Sequence, residues 1–339
     1  MFIFRADGNS TIGMGHIMRC FSIADCLREK GKKSCFLVSK DSDFSRVQAL
    51  GFPVLRLQRE DSHGWSSEEA AYILSAYDVD AVILDSYRVV PEDFSRLKAV
   101  APLYYIDDLW AFDYDADAII NYNIEADEDF YFPTEHPGRK LYLGPSYFPM
   151  RKEMLPSHPG RLRSGVKSVL ITTGSTDPCQ ISRNILQWID PAEYPDISFG
   201  VLLGAFYETE YISEFETLFS PQNNVSFLTW GQNMKHLYES TDLMIAPGST
   251  MVYEALTFGI SCISYCFAEN QLSQCLAMDA KGTVPFIGDF RQDKHSLMAQ
   301  KLRRLFRESL SLPQRGVHRT VNPFCPDGKG AVRIAEILL

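Results

Sequence analysis

The chain has 339 residues, of which 45% are hydrophobic and 22% charged, a balance typical of globular proteins rather than disordered ones. That length favours two domains over a single hydrophobic core. The formal net charge of -10, from 33 Lys and Arg against 43 Asp and Glu, argues against wholesale binding of nucleic acid or of anionic membranes, which need a basic face.

Short apolar strands alternate with helices along the first half of the chain. A helix follows the first strand and carries one apolar stripe at helical spacing, formed by Ile17, Cys20, Phe21, Ala24 and Leu27. Strands that are apolar on both faces are typical of parallel sheets covered by helices on both sides. The seven predicted strands of this half are MFIFR, KSCFLVS, PVLRL, AVILDS, LYYID, AIINYN and LYLG.

The alternation restarts after a segment rich in Pro, Gly and basic residues. The six predicted strands of the second half are SVLITTG, SFGVLLG, VSFLT, LMIAPG, SCISYCF and VPFIG. The pattern predicts an α/β protein with two Rossmann-like parallel-sheet domains that face a central cleft. The predicted divisions are an N-terminal domain (1–148), an inter-domain segment (149–165), a C-terminal domain (166–322) and a terminal helix (323–339).

The eight cysteines and the first residues of the sequence indicate the cellular compartment in which we expect the protein. No CxxC pair is present, and most cysteines lie in apolar surroundings, so we interpret them as reduced core thiols. The chain starts with a strand rather than a signal-peptide pattern, and no apolar run reaches the length of a membrane span. We therefore expect a cytoplasmic protein without stable membrane insertion.

The turn after the first strand reads GMGH and places Gly13 and Gly15 before His16. The turn does not complete the dinucleotide-binding motif GxGxxG, because the position three past Gly15 is Met18 instead of glycine. It also lacks the Lys of a Walker loop. At a helix N-terminus the free N–H groups and the helix dipole favour an anion and disfavour a protonated imidazole. His16 is therefore a candidate general base, beside the alternative that it only caps and packs beneath the loop.

Polar side chains follow several strands of the first half. Because the carboxyl ends of parallel strands meet at one ligand-binding edge, we predict that these side chains bind the substrate. For Asp85, capping of the next helix is an equal alternative. Asp107 with Asp108 forms only a weak metal site, because no further ligand lies at a suitable spacing, and we expect no metal. The predicted residues are Arg5, Asp7, Asn9, Asp85, Tyr87 and Asp107.

Two glycine-containing turns of the second half are candidate diphosphate sites. Gly174 and Ser175 follow a buried strand, although a plain helix cap has the same residue types. Gly248, Ser249 and Thr250 place backbone donors at a helix start, and Glu254, one turn later, can accept two ribose hydroxyls. Asn270 and Gln271 follow the next strand and suit sugar hydroxyls.

Taken in chain order, these motifs resemble the UDP-sugar hydrolases of the pseudaminic-acid pathway. The matching motifs are DGNxxIGxGHxxRC, LDSY, YIDD, GSTDP, PGSTxxxE and AENQ, and the likeness continues to the closing DGKGAVRI. It extends to spore-coat polysaccharide biosynthesis proteins and, more distantly, to the GT-B transferase that makes lipid II. The resemblance implies a GT-B fold and hydrolysis of a UDP-linked 2,4-diacetamido-2,4,6-trideoxy sugar without a metal or other cofactor.

The resemblance also implies roles for individual residues. The essential histidine of the family falls on His16, and its diphosphate and ribose contacts fall on Gly248–Thr250 and Glu254. Its Gly-Gly-x-Asp turn is present here as Gly174–Asp177, with Ser175 in place of the second glycine. That replacement bears on how closely the backbone approaches a ligand.

The sequence therefore predicts a hydrolase of a UDP-linked amino sugar, acting in synthesis of a surface or spore-coat polysaccharide, with His16 as the base for water. Its ligand is a small-molecule UDP-sugar, and other enzymes of that pathway are the expected partners. A GT-B glycosyltransferase, a hydrolysing 2-epimerase with Asp85 and Asp107 as its acid/base pair, and a non-catalytic binder stay open. The acidic stretch DSHGWSSEEAAYIL lacks the basic and apolar patch of lipid-linked transferases, which favours the hydrolase.

Overall fold

The chain forms two compact units, each built on one β-sheet. The first unit is Met1–Lys152 together with Gly328–Leu339, and the second is Glu153–Asp327. The structure is a computed structural model that describes residues 1–9, 14–132, 135–157, 165–229, 231, 233–311 and 324–339.

All thirteen strands predicted from the sequence are present. In the first unit they pair in the order β3-β2-β1-β4-β5-β6-β7, and every pair is parallel. These strands are β1 (Phe2–Ala6), β2 (Ser34–Val38), β3 (Val54–Arg56), β4 (Ala81–Asp85), β5 (Leu103–Ile106), β6 (Ala118–Asn121) and β7 (Lys140–Leu143).

The sheet of the second unit is parallel as well. Its order is β10-β9-β8-β11-β12-β13. The strands are β8 (Ser168–Thr172), β9 (Ser198–Leu203), β10 (Val225–Thr229), β11 (Leu243–Pro247), β12 (Ser261–Cys266) and β13 (Phe286–Asp289). The α/β class predicted from strand and helix alternation is therefore confirmed.

α-Helices connect most successive strands, as is usual for parallel pairing; no helix lies between β5 and β6, and a 3₁₀ helix lies between β6 and β7. The described residues contain eleven α-helices and four short 3₁₀ helices, the latter at Glu128–Tyr131, Pro145–Tyr147, Lys152–Met154 and Pro191–Glu193. The α-helices are α1 (Gly15–Glu29), α2 (Ser45–Ala49), α3 (Ser67–Leu74), α4 (Pro91–Lys98), α5 (Ile181–Ile189), α6 (Thr209–Phe219), α7 (Met234–Ser240), α8 (Thr250–Thr257), α9 (Glu269–Ala280), α10 (His295–Ser311) and α11 (Gly330–Ile337).

Both sheets are held by apolar side chains from the strands and the covering helices. In the first unit, Ile3, Val82 and Leu84 are fully buried against Trp65 and Phe94. Burying one such side chain contributes about 1.5–3 kcal/mol. The predicted stripe on α1 is buried along its whole length, which confirms that helix and its register.

The C-terminal helix α11 packs on the first unit, beside α1. Arg333 Nη1 donates to the carbonyl oxygen of Ser146 at 2.8 Å, and Tyr104 Oη donates to that of Ile337 at 3.3 Å. A Cβ on Gly330 would lie 2.1 Å from the carbonyl oxygen of Phe148, so only glycine fits there. The last residues of the chain therefore complete the fold of its first half.

No disulfide joins any of the eight cysteines. Five of them are buried, at positions 20, 35, 262, 266 and 275, as expected for core thiols. Within the described ranges, no helix has the length and apolar character needed to cross a membrane.

The docking of α11 predicts the effect of adding one methyl group. Gly330→Ala should destabilise the protein by about 1–3 kcal/mol, because the methyl group overlaps the backbone of Phe148. The urea midpoint of unfolding measures this effect.

Gly138→Ala is the matched control, because a Cβ at Gly138 meets no atom within 4 Å. If Gly330→Ala instead stabilised the protein, as its higher helix propensity alone would do, the docking described for α11 would be wrong.

Candidate functional site

The first unit has its topological switch point between β1 and β4, the two strands at which the strand order reverses direction. The chain leaves β1 towards β2 and leaves β4 towards β5, so the two following loops diverge, and open α/β sheets bind ligands in the crevice this creates. His16 lies in the first turn of α1, after β1, and Asp85 is the last residue of β4. Two of the predicted residues therefore meet at the switch point.

His16 and Asp85 form a buried hydrogen-bonded pair. His16 Nδ1 lies 2.6 Å from Asp85 Oδ1, and the two residues are 7% and 0% exposed. A contact this short to a carboxylate oxygen requires the proton on Nδ1, which leaves the lone pair of a neutral imidazole on Nε2. No described residue is hydrogen-bonded to Nε2. The pair therefore presents a histidine oriented as a proton acceptor.

Arg19, three residues after His16, fixes the other side of the carboxylate. Its Nε and Nη2 donate to Asp85 Oδ2 and Oδ1 at 2.6 and 2.5 Å, and its Nη1 donates to Asp108 Oδ2 at 2.9 Å and to Tyr122 Oη. Burial alone would raise the pKa of Asp85, but the charge of Arg19 and the hydrogen bonds from Arg19 and His16 hold that pKa well below its usual range. Asp85 is therefore ionised and held from two sides, rather than capping the next helix.

Tyr87 and Cys20 complete the surroundings of the pair. The Tyr87 ring stands edge-on to the imidazole of His16, with 4.4 Å between ring centroids, and its hydroxyl donates to Asp108 Oδ2 at 2.9 Å. About half of Tyr87 is exposed. The buried Cys20 thiol lies 3.5 Å from Asp85 Oδ2. Tyr87 is thus a predicted site residue that the structure places against the imidazole with an exposed face.

Arg5 and Asp7 are placed inside the unit rather than at an open edge. Both are buried, and Arg5 Nη2 donates to Asp7 Oδ2 at 2.7 Å. The guanidinium stacks on Trp65 at 4.3 Å, and Asp7 Oδ1 accepts the backbone N–H of Ser39 at 2.7 Å. Although burial opposes it, the charge of Arg5 lowers the pKa of Asp7. The pair joins the ends of β1 and β2, so we revise its assignment from sugar binding to support of the loop.

The other predicted residues of this loop have different surroundings. Asn9 Nδ2 donates to Asp41 Oδ2 at 3.3 Å. Gly15 is exposed, and a Cβ there would meet nothing within 4 Å, so the space beside the start of α1 is open. Gly13 lies outside the described residues.

The two adjacent carboxylates after β5 separate. Asp107 is fully buried and accepts from Tyr131 Oη at 2.9 Å, from Tyr114 Oη at 3.0 Å and from the backbone N–H of Leu109 at 3.0 Å. Burial raises the pKa of Asp107 despite these donors. Asp107 therefore organises its own loop, and Asp108 is the carboxylate that belongs to the His16 cluster. This arrangement corrects the assignment of Asp107 to the sugar and to an acid/base pair with Asp85.

The second unit has its switch point between β8 and β11, and both predicted UDP loops follow these strands. Gly174 has a φ of +87°, a conformation that glycine adopts readily, and Ser175 is exposed. A Cβ on Gly204 would lie 2.4 Å from the carbonyl oxygens of Gly174 and Ser175, so this loop packs tightly on the next one. Asp177 accepts the first N–H groups of α5, which is the helix cap weighed from the sequence.

The loop between β11 and α8 requires one correction. The N–H of Gly248 donates to the carbonyl oxygen of Tyr265 at 2.9 Å, so it continues the sheet and is not free for a phosphate. Glycine is needed there because a Cβ would lie 2.3 Å from Cys275 Sγ. The N–H groups of Ser249 and Thr250 donate to no described residue, so the available donors of this loop are theirs.

The remaining predictions in the second unit lie on α8 and at the start of α9. Glu254 Oε2 accepts from Tyr238 Oη at 3.0 Å. Asn270 is exposed in the first turn of α9. Gln271 Oε1 accepts the N–H of Phe267 at 3.0 Å, so its side chain caps the chain before α9. Gln271 is therefore not available in this arrangement to bind a sugar through that oxygen.

The structure adds three residues that the sequence analysis did not assign, namely Arg19, Asp108 and Tyr122. Arg19 stands three residues after His16 on α1, a spacing that brings two side chains to one helix face and was a usable signal. Asp108 and Tyr122 gave no such signal, because their approach to Arg19 depends on the order of β4, β5 and β6.

Among the described residues, one group combines histidine and carboxylates at metal-ligand distances. One ligand atom from each of Asp61, His63 and Asp93 lies within 4.8 Å of the others. His63 Nε2 is 3.2 Å from Asp93 Oδ2, which also accepts the N–H of Val90. None of these three residues belongs to the His16 cluster.

Known proteins resemble this chain at low sequence identity. The UDP-2,4-diacetamido-2,4,6-trideoxy-beta-L-altropyranose hydrolase of Campylobacter jejuni is 22% identical over 283 residues, 83% of this chain and 96% of that protein. The spore coat polysaccharide biosynthesis protein SpsG of Bacillus subtilis is 22% identical, with coverage of 98% and 96%. An uncharacterized protein of Methanocaldococcus jannaschii is 26% identical over 75% of this chain, which spans about half of that protein (53%). No family model matches the chain.

Solved structures resemble the whole chain in fold. The TM-score is 0.66 to Acinetobacter baumannii MurG, with 12% identity and coverage of 99% of this chain and 98% of the other. It is 0.69 to the glycotransferase of kitacinnamycin, at 13% identity and 100% and 98% coverage. It is 0.64 to the UDP-GlcNAc 2-epimerase from Neisseria meningitidis bound to UDP-GlcNAc, at 14% identity and 100% and 99% coverage. At these identities the likeness shows the fold, and the predicted GT-B fold is confirmed.

The ion pairs of Asp85 predict a pH-dependent contribution to stability. Because the pKa of Asp85 is lower in the folded protein than in the unfolded chain, this contribution is complete above about pH 4 and is lost as the pH falls below that value. Asp85→Asn should cost about 3 kcal/mol at neutral pH, since it leaves the buried Arg19 with one carboxylate partner, Asp108, in place of two. Urea unfolding at a series of pH values measures the difference.

The control is Asp115→Asn, which removes an exposed contact with Lys98 and should cost less than about 1 kcal/mol. A cost for Asp85→Asn that stayed constant from about pH 7 to about pH 3 would contradict an ionised Asp85.

Proposed function

We propose that this protein hydrolyses a UDP-linked diacetamido-trideoxy or related amino sugar at C1, releasing the free sugar and UDP, in the synthesis of a surface polysaccharide. The observation that carries the proposal is the pair of His16 and Asp85 at the switch point of the first sheet, with Nδ1 bound to the carboxylate at 2.6 Å. A histidine held in this way has one free nitrogen with a lone pair, the requirement for a general base.

In the proposed reaction His16 Nε2 removes a proton from a water molecule as the water oxygen bonds to C1. The bond between C1 and the diphosphate oxygen breaks, and its electron pair leaves with UDP. Asp85 keeps the proton of Nδ1 in place and stabilises the imidazolium that forms. General-base assistance of this kind contributes on the order of 10²–10⁴-fold to the rate.

The second unit contributes binding of the leaving group in this proposal. The N–H groups of Ser249 and Thr250 lie at the N-terminus of α8, where the helix dipole stabilises negative charge. The loop at Gly174 and Ser175 lies on the other side of the same switch point and has an exposed hydroxyl. Backbone donors at a helix N-terminus bind phosphate groups, so we propose these donors for the diphosphate of UDP.

The names of the relatives support this substrate class. One relative is named as a hydrolase of a UDP-linked diacetamido-trideoxy sugar and another as a spore coat polysaccharide biosynthesis protein, and each alignment covers more than four-fifths of this chain. The proposed mechanism uses only side chains and backbone groups of the protein. We therefore expect no metal requirement. A UDP-linked 2,4-diacetamido-2,4,6-trideoxy sugar is the specific substrate that the name of the first relative favours.

The proposal is tested by measuring UDP release from a panel of UDP-amino sugars, with and without EDTA and without any acceptor. We expect UDP and free sugar in equal amounts, unaffected by EDTA. His16→Ala should lower the rate on the order of 10²–10⁴-fold while the Kd for UDP stays the same, since the base does not hold the diphosphate.

His136→Ala is the matched control, because His136 lies in the same unit and pairs with the partly exposed carboxylate of Asp113, outside the His16 cluster. It should retain full activity. Release of UDP only after a lipid or sugar acceptor is added would identify a glycosyltransferase and overturn the hydrolase. Binding of UDP-sugars without turnover under either condition would identify a binder.

A further inference from the structure

Arg19 is the residue of the His16 cluster with the largest set of charged contacts. It stands in the first turns of α1, its side chain is 11% exposed, and it reaches groups at the ends of three neighbouring strands. Those groups are Asp85 at the end of β4, Asp108 after β5 and Tyr122 after β6. One guanidinium thus ties the start of α1 to the ligand-binding edge of the sheet.

We propose that Arg19 is a positioning residue that acts through Asp85, holding the imidazole of His16 with its proton on Nδ1 and its lone pair on Nε2. The inference rests on the proposed function for its effect on catalysis. The effect of Arg19 on the imidazole of His16 does not depend on the proposed function, because this effect follows from contacts inside the first unit.

The contacts of Arg19 leave it no direct role with a substrate. All three guanidinium nitrogens are engaged by described residues: Nε and Nη2 by Asp85, and Nη1 by Asp108 and Tyr122. The planar guanidinium binds both oxygens of Asp85 at once, which fixes the rotation of the carboxylate as well as its position. Since Oδ1 of that carboxylate also accepts from His16 Nδ1, the plane of the imidazole is fixed in turn.

The contact between Arg19 and His16 shows why the tautomer depends on this arrangement. Arg19 Nη2 lies 3.1 Å from His16 Nδ1, while Asp85 Oδ1 lies 2.6 Å from the same atom. A guanidinium only donates, so it competes for the lone pair of Nδ1, whereas the carboxylate needs a proton there. The shorter contact to Asp85 decides in favour of the proton on Nδ1, as long as Arg19 holds the carboxylate in place.

Charge balance gives Arg19 a second effect on the pair. The groups that face Asp85 are Arg19, His16 and the Cys20 thiol, and the groups that face Arg19 are Asp85, Asp108 and Tyr122, with Tyr87 joined to Asp108. Without the guanidinium, Asp85 would be opposed by His16 alone, which favours a protonated imidazole. A protonated imidazole has no lone pair to accept a proton from water, so it cannot act as the base.

Two substitutions of Arg19 distinguish its effect on the position of Asp85 from the effect of its positive charge. Arg19→Lys keeps the positive charge but cannot bind both oxygens of Asp85 together with Asp108, so kcat should fall about 10²-fold with KM unchanged. Arg19→Met removes the charge, so the acidic limb of the kcat–pH profile should move to higher pH as well. Guanidinium ion added to Arg19→Met should restore part of kcat, which a merely unfolded variant would not show.

The matched control is Arg28→Met on the same helix, where Arg28 is half-exposed, pairs with Asp25 and stacks on Phe52 at 4.6 Å. It should leave kcat and the pH profile unchanged. If Arg19→Lys and Arg19→Met kept the kcat and pH profile of the unsubstituted protein, or if both changed only KM, a positioning role would be excluded.

¹⁵N NMR of histidine-labelled protein tests the inference without turnover, with His16→Ala used to assign the signal. The unsubstituted protein should show His16 with its proton on Nδ1. Arg19→Met should shift the titration of this signal to higher pH, and Arg19→Lys should increase exchange between tautomers. An unchanged His16 signal in both variants would overturn the inference. A changed signal in a protein that releases no UDP would support Arg19 as positioning residue and reject the hydrolase.

Discussion

The buried charge of Asp85 is the constraint on which the site in the first unit depends. A carboxylate that is 0% exposed needs charge and hydrogen bonds from the protein to stay ionised, because water no longer solvates it. Those partners come from α1, where Arg19 and His16 stand three residues apart on one face. Solvation of one strand-end carboxylate thus determines which nitrogen of the histidine carries the proton and which one keeps the lone pair.

In the second unit, close packing requires glycine at two loop positions, Gly248 and Gly204. Gly248 is needed for contact with Cys275 and gives its N–H to the sheet, so the donors available for an anion begin one residue later. Gly204 lets its loop pack against the carbonyl oxygens of Gly174 and Ser175 and thereby fixes the turn after β8. The residue types of a phosphate-binding motif are present, but only part of the motif is free to bind.

The sequence predicted the strands well because each is a short apolar run between turn residues, and the α1 stripe because it repeats at helical spacing. It did not predict that α11 packs on the first unit, since that depends on a close approach of Gly330 to Phe148 across the length of the chain. For the site, the meeting of His16 with Asp85 was expected only as polar residues sharing one sheet edge. Assigning Asp107 rather than Asp108 failed because two adjacent residues after a strand point to different surroundings.

The most direct test of the account is to locate the oxygen that water contributes. The protein is incubated with a UDP-linked diacetamido-trideoxy sugar in ¹⁸O-water under single-turnover conditions, and both products are analysed by mass spectrometry. Attack on C1 with His16 as the base predicts one ¹⁸O atom in the free sugar and none in UDP. Label in the diphosphate, or unlabelled sugar, would place the reaction at phosphorus or on another nucleophile and would contradict the account.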